Sequence, residues 1–192
     1  MGKVISTLLF QPPDQPTRLS SKKYFWLTTS TGSKIPAFYI QQNHARYSIL
    51  YSHGNAEDLG MIYSYLEELS QLLYINILAY DYSGYGMGSI RKDNIANKIE
   101  ANEENCYSDI EAALHYLTQT EHMSLSQIIL YGRSVGSGPS CYLAKKFSDD
   151  GETFAGLILH SPFLSVCRVV IDMGFEMTYD VFPNISRIKD VG

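Results

Sequence analysis

Apolar positions along the chain recur first with a period of two and then with alternating short runs and helical stripes. Between Tyr24 and Gln41 they alternate and break at Ser30-Thr31-Gly32-Ser33, which predicts two strands joined by a turn. Tyr47 to Ser52 is a short apolar run that ends at His53-Gly54-Asn55. Met61 to Leu73 then places Ile62, Tyr65, Leu66, Leu69, Leu72 and Leu73 at the spacing of one helix face. Ile75 to Tyr80 is the next strand-like run, and it ends in Asp81-Tyr82-Ser83-Gly84-Tyr85-Gly86. Glu103 to Leu117 carries a helical stripe of Tyr107, Ile110, Leu114 and Leu117. Ile128 to Tyr131 reads as a strand, Val135 to Phe147 as a helix and Phe154 to Leu159 as a further strand.

Strands separated by helices of this length predict an α/β fold: a mostly parallel sheet with helices on both faces, entered through an N-terminal antiparallel hairpin. Ligand sites in such sheets gather at the carboxyl ends of the strands. His53, Asp81, Ser134 and His160 all fall at those ends.

Gly132-Arg133-Ser134-Val135-Gly136 has the pattern G-x-S-x-G on a strand-to-helix corner. By composition alone the pattern turns up in about one chain of this length in fifteen, so its context carries the weight. Such a corner displays a Ser as a nucleophile and forces it into a sparsely populated backbone region, while the flanking Gly residues let strand and helix pack closely. The free N–H groups at the start of the following helix stabilise negative charge developing on a carbonyl oxygen. The backbone N–H of Val135 is the expected first donor. Asn55, in the loop after an earlier strand, is the expected second. His53 reads as a loop-bracing residue rather than a proton carrier.

Length and charge narrow the picture further. The chain has 192 residues, suited to one domain over 1–192, with 45% hydrophobic and 18% charged residues. A net charge of -5 without a basic cluster argues against a nucleic-acid partner. The fifteen Tyr are read as half-buried packing residues. Cys106, Cys141 and Cys167 lack metal-binding spacing and suit a reducing, cytoplasmic setting. Gly84-Tyr85-Gly86-Met87-Gly88-Ser89 lacks the third Gly of a dinucleotide loop, and neither a P-loop nor a zinc motif is present; no cofactor and no metal are expected. No apolar run reaches the ~20 residues of a membrane span. Met1-Gly2-Lys3-Val4-Ile5-Ser6 fits the loose myristoylation pattern, although Lys3 beside Gly2 weakens the match and the chain can equally begin near its first strand.

YSHGNAEDLG, YDYSGYG, ILYGRSVG and LILHSPF, in this order and spacing, resemble the α/β-hydrolase superfamily. Within it the chain is similar to the α/β-hydrolase-domain 17 group, membrane-associated serine hydrolases that remove palmitate from protein Cys residues. The likeness runs from about Leu8 to the chain end and includes FPNISRIKDV. It implies a serine hydrolase of acyl esters or thioesters, with Ser134 as nucleophile and Asn55 and Val135 as backbone oxyanion donors. The implied substrate is an acylated protein or a small ester. The group carries a lipidated N-terminal Cys cluster, whereas this sequence has no Cys before Cys106. The expected location is therefore cytoplasmic, with peripheral membrane association left open.

In this fold the chain order is Ser, then Asp or Glu, then His. After Ser134 the sequence holds one His, His160, which the resemblance marks as structural. Asp149, Asp150 and Glu152 precede the strand that ends at His160, so a strand of ~20 Å separates them from it. Asp172, Glu176 and Asp180 follow. The resemblance puts the catalytic acid and His after two further strands, which implies a hydrolase missing its C-terminal strands and inactive as 192 residues alone. The alternative is a non-catalytic remnant or binding module. Two more expectations follow: FAGLIL forms an exposed sheet edge open to self-association, and the segment 165–185 serves as an apolar cap or as a helix packed on the sheet.

Overall fold

The computed structural model describes residues 9–20, 23–89, 101–165, 180–189 and 191. The predicted hairpin forms β1 (Phe25–Thr28) and β2 (Lys34–Ile40), turning between Thr29 and Ser33. β3 (Ser48–Ser52), α1 (Leu59–Leu73), β4 (Asn76–Tyr80), α2 (Glu103–His115), β5 (Ile128–Arg133), α3 (Ser137–Asp149), β6 (Gly156–His160) and α4 (Asn184–Ile188) follow. The strands form one sheet in the order β1-β2-β4-β3-β5-β6. β2 is antiparallel to both of its neighbours, and β3, β4, β5 and β6 run parallel.

Strand alternation sorts the apolar residues into two cores, because successive side chains point to opposite faces. Ile49 and Tyr51 of β3 and Ile77 and Ala79 of β4 meet Leu59, Ile62 and Leu66 of α1. Leu50, Leu78, Tyr80 and Leu130 point the other way, onto Ile110 and Leu114 of α2 and Leu143 and Ala144 of α3. β3 and β4 are buried over all five residues, which is why both read as continuous apolar runs.

The helix starts are capped by short polar side chains. Asp58 accepts the Met61 N–H at 3.0 Å and also the Thr17 N–H at 2.7 Å, so one carboxylate starts α1 and ties down the N-terminal segment. Asn102 accepts the Asn105 N–H at 2.8 Å at the start of α2. α2 leaves its α-helical path in a π-helical turn at Tyr116–Thr120.

Most of the described tyrosines are half-buried, as expected, and four go further into the core. Tyr51, Tyr80, Tyr82 and Tyr85 are completely buried, and the hydroxyls of Tyr80, Tyr82 and Tyr85 bond to Ser52 Oγ, the His53 carbonyl and Asn55 Oδ1. Phenol is tolerated in a core when its hydroxyl finds such a partner. The cap reading falls mostly on residues 166–179, and the Gly2 reading on residue 2; both lie outside the described residues. Phe182 is described: it is fully buried against Phe10, Tyr107 and Phe163, so this part of 165–185 packs on the domain.

Candidate active site

Ser134 follows β5 directly and has φ of +50°, the left-handed region that L side chains seldom occupy. A short 3-10 turn, Ser134–Gly136, passes the chain into α3. The two Gly residues of the motif are explained by close approach. A Cβ on Gly136 would lie 2.2 Å from the Ser52 carbonyl oxygen, and one on Gly132 would lie 2.5 Å from the Gly136 carbonyl oxygen. The start of α3 therefore rests against the end of β3, and only Gly permits it. The strain at Ser134 is held by a relay: Asn184 Nδ2 donates to Ser137 Oγ at 3.0 Å, and Ser137 Oγ donates to the Ser134 carbonyl at 2.6 Å.

β3 and β5 are direct neighbours, with Ser52 opposite Gly132, so the His53-Gly54-Asn55 loop emerges beside the elbow. Asn55 is half-buried and its side chain is fully engaged. Nδ2 donates to the Leu9 carbonyl at 2.6 Å, while Oδ1 accepts from Tyr85 Oη at 2.7 Å and from the Gln11 N–H at 2.9 Å. The side chain anchors the loop, which leaves the backbone as the part of Asn55 that can serve the site. Val135 is almost wholly buried, consistent with a backbone role rather than a side-chain one.

Two residues that the sequence reading passed over join these loops. Glu57 accepts the Gly54 N–H at 2.8 Å with one carboxylate oxygen and pairs with the Arg133 guanidinium through the other. Their one sequence signal is the position of Arg133 inside G-x-S-x-G. Asn184 and Ser137, which brace the Ser134 carbonyl, carried no signal either.

His53 is fully buried. Its Nδ1 lies 2.8 Å from the Gly54 carbonyl, its Nε2 lies 3.4 Å from Asp81 Oδ1, and Tyr82 Oη donates to its own carbonyl at 2.7 Å. These contacts fit the loop-bracing reading. Burial pushes the Asp81 carboxyl above its ordinary range, opposed by His53 and by the Leu59 N–H that it accepts at 2.9 Å. Asp109 reaches the same region from α2 and accepts both the N–H and the hydroxyl of Ser83; burial pushes it up to about 7.

On the other side, His160 stands opposite Arg133 at the end of β6, and its Nδ1 lies 2.9 Å from Tyr131 Oη. Asp149 closes α3, whose C-terminal end adjoins the start of β6 rather than its carboxyl end. The structure thus gathers Ser134, Val135 and Asn55 at neighbouring strand ends and leaves Asp149, Asp150 and Glu152 at the opposite edge. His44, His115 and His122 lie on the β2–β3 loop, at the end of α2 and on the loop before β5. A groove of about 800 Å³ also lies at that far end, lined by Glu111, His115, Met123, Lys146 and Thr153, away from the elbow. Among the described residues no His, Cys, Asp or Glu cluster is arranged to hold a metal, and no helix is long and apolar enough to cross a membrane.

The comparisons agree with this geometry. The sequence pattern of the alpha/beta hydrolase fold matches residues 47–184. Alpha/beta hydrolase domain-containing protein 17B of Homo sapiens is 34% identical, over 99% of this chain and 71% of its own length. Protein 17C of Xenopus tropicalis is 37% identical over 90% of this chain, so the match spans about half, 52%, of that relative. Among solved structures, an alpha-beta hydrolase from Vibrio vulnificus superposes with a TM-score of 0.69 at 18% identity, covering 98% of this chain and 67% of that one. A sheet of this order, a strained Ser between two Gly residues at its centre, and these relatives together show that the chain belongs to the alpha/beta hydrolase fold family.

Proposed function

We propose that the chain carries the nucleophile and oxyanion half of a serine hydrolase acting on acyl esters or thioesters, similar to the protein depalmitoylases it resembles. The observation that supports this best is Ser134, kept at φ +50° on a corner that only Gly132 and Gly136 allow. Strain of this kind costs on the order of 1–3 kcal/mol and persists where the surrounding structure enforces it. In the proposed reaction Ser134 Oγ attacks the acyl carbonyl carbon. The Val135 and Asn55 backbone N–H groups face the oxygen that becomes negative, the alcohol or thiol leaves, and water releases the acyl group from Ser134.

The attack requires a base for the Ser134 proton. Of the five His in the sequence, His53 is enclosed beside Asp81, His160 is engaged by Tyr131, and His44, His115 and His122 lie away from the elbow. The 192-residue chain is therefore expected to turn over slowly by itself, since loss of triad members leaves the residual catalysis of binding and oxyanion groups.

A fluorophosphonate probe followed by peptide mapping tests the proposal, with Ser134→Ala as the control. An adduct on Ser134 in the parent chain, absent from the variant, supports the hydrolase. Failure to form it defeats the active-hydrolase reading of this chain and favours a non-catalytic module of the same fold.

A further inference from the structure

Before the sheet begins, the chain crosses the loop that follows β3. The Leu9 carbonyl accepts from Asn55 Nδ2 at 2.6 Å, and the Gln11 N–H donates to Asn55 Oδ1 at 2.9 Å. A primary carboxamide offers a donor and an acceptor side by side, which an ionised carboxylate does not. Phe10, between these two contacts, is buried. Pro12, Pro13 and Pro16 fix φ along the stretch that follows, and the Thr17 N–H donates to Asp58 at 2.7 Å. A Cβ on Gly60 would lie 2.5 Å from the Thr17 carbonyl oxygen, so the far end of this strap is pressed against the start of α1.

The strap clamps the residue whose N–H is the expected second oxyanion donor. That N–H shares one planar peptide unit with the Gly54 carbonyl, 2.8 Å from His53 Nδ1. On the other side, Ala56 has φ of +55°, a strained setting for a residue with a Cβ, and its N–H donates to Asn55 Oδ1 at 3.1 Å. The carboxamide therefore holds the turn, and the strap holds the carboxamide. The strap also reaches the other half of the elbow. The Phe10 ring meets Phe182 edge-on, 6.1 Å between centres, and two residues later Asn184 braces the Ser134 carbonyl through Ser137.

We propose, resting on the hydrolase reading above, that residues 9–11 are a positioning element of the active site. Seated on the Asn55 carboxamide, they aim the Asn55 N–H at the oxygen that becomes negative. Lifting them slows acylation of Ser134 while the sheet stays folded.

The rate of Ser134 labelling by a fluorophosphonate tests this in the full chain, with far-UV circular dichroism to show that each variant folds. Asn55→Asp keeps the shape but, when ionised, sets a second acceptor against the Leu9 carbonyl. At about pH 8 labelling should be slower than in the parent by about tenfold or more. At about pH 5 the introduced carboxyl takes up a proton and can donate to Leu9 again, so the ratio to the parent should recover to within about threefold. Tyr85, which touches the carboxamide, is pushed up by burial and stays protonated throughout. His53, Asp81 and Glu57 around the loop are present in parent and variant alike. Gln11→Pro deletes the other strap bond, changes only an exposed side chain besides, and should slow labelling by about fivefold at both pH values.

Equal labelling of the parent and both variants overturns the strap and leaves the hydrolase reading intact, as does a loss in Asn55→Asp that does not recover at the lower pH. If one variant fails to fold, the other decides. A parent that does not label overturns the hydrolase reading instead, and hydrogen exchange then decides the strap. Asn55→Asp should raise deuterium uptake at about pH 8 in the peptides spanning residues 9–12 and 53–57, and unchanged uptake there overturns it.

Discussion

The two flanks of Ser134 are built differently. Toward β3 and β4, the strand ends are closed by buried and half-buried polar groups that are mostly hydrogen-bonded, although His53 Nε2, 3.4 Å from Asp81, makes no hydrogen bond. His53 faces Asp81, Tyr82 holds the His53 carbonyl, Asp109 holds Ser83, and Glu57 spans from Gly54 to Arg133. Toward β6, His160 is exposed and meets the Tyr131 phenol, and Ile158 is open to solvent. On the proposed function, the difference separates two tasks of a hydrolase site. Oxyanion donors are backbone groups, so they are held by strand ends and tight turns. Proton transfer needs a positioned His with an acid behind it, and the β6 flank does not supply that pair from the described residues.

The contrast can be broken most severely at Gly136. Gly136→Ala puts a Cβ 2.2 Å from the Ser52 carbonyl oxygen and 2.8 Å from that of His53, both backbone atoms with little room to yield. The variant should lose more than about 4 kcal/mol and fail to accumulate as folded protein, checked by soluble yield and circular dichroism.

Asp109 offers a pH test of the buried flank. Burial raises its carboxyl to about 7. With an unfolded value of ~3.9, the folded state holds the proton more tightly between those limits. The stability it contributes is complete below about pH 4 and is lost as pH rises through about 7, a change on the order of 4 kcal/mol. Urea midpoints measured from pH 4 to 8 should fall accordingly, and Asp109→Asn should flatten the profile.

Glu57→Ala removes the acceptor of the Gly54 N–H and the partner of Arg133. A loss of about 1–2 kcal/mol is expected, with coupling to Arg133→Ala of about 0.5–1 kcal/mol in a double-mutant cycle because the guanidinium is partly exposed. The effect should be smallest at His160. His160→Ala on the open flank should move the thermal midpoint by no more than ~2 °C, about 0.5 kcal/mol for a chain of this size. A large loss there would show that the two flanks are equally committed to the fold.

Much of the fold was legible in the chain. The hairpin around Ser30–Ser33, the elements from β3 through α3, and β6 all lie where apolar period and length placed them, within a few residues at their ends. Ser134 and its Gly neighbours were legible because a strand-to-helix corner leaves a local signature. Glu57, Asn184 and Ser137 were not. Glu57 lies 76 positions before Arg133, and Asn184 47 positions after Ser137, so no local pattern links them. The buried tyrosines escaped for the same reason, since a phenol's fate depends on distant acceptors such as the His53 carbonyl.

By itself, then, the sequence determined the element order, the two-faced sheet and the strained Ser134 corner, because backbone preference and hydrophobic period act over a few residues. Only the tertiary structure decided which polar groups brace that corner and that the Asn55 side chain is an anchor. Those outcomes depend on which distant strand ends meet, and hydrogen bonds of short range become specific only after the sheet has brought their partners together.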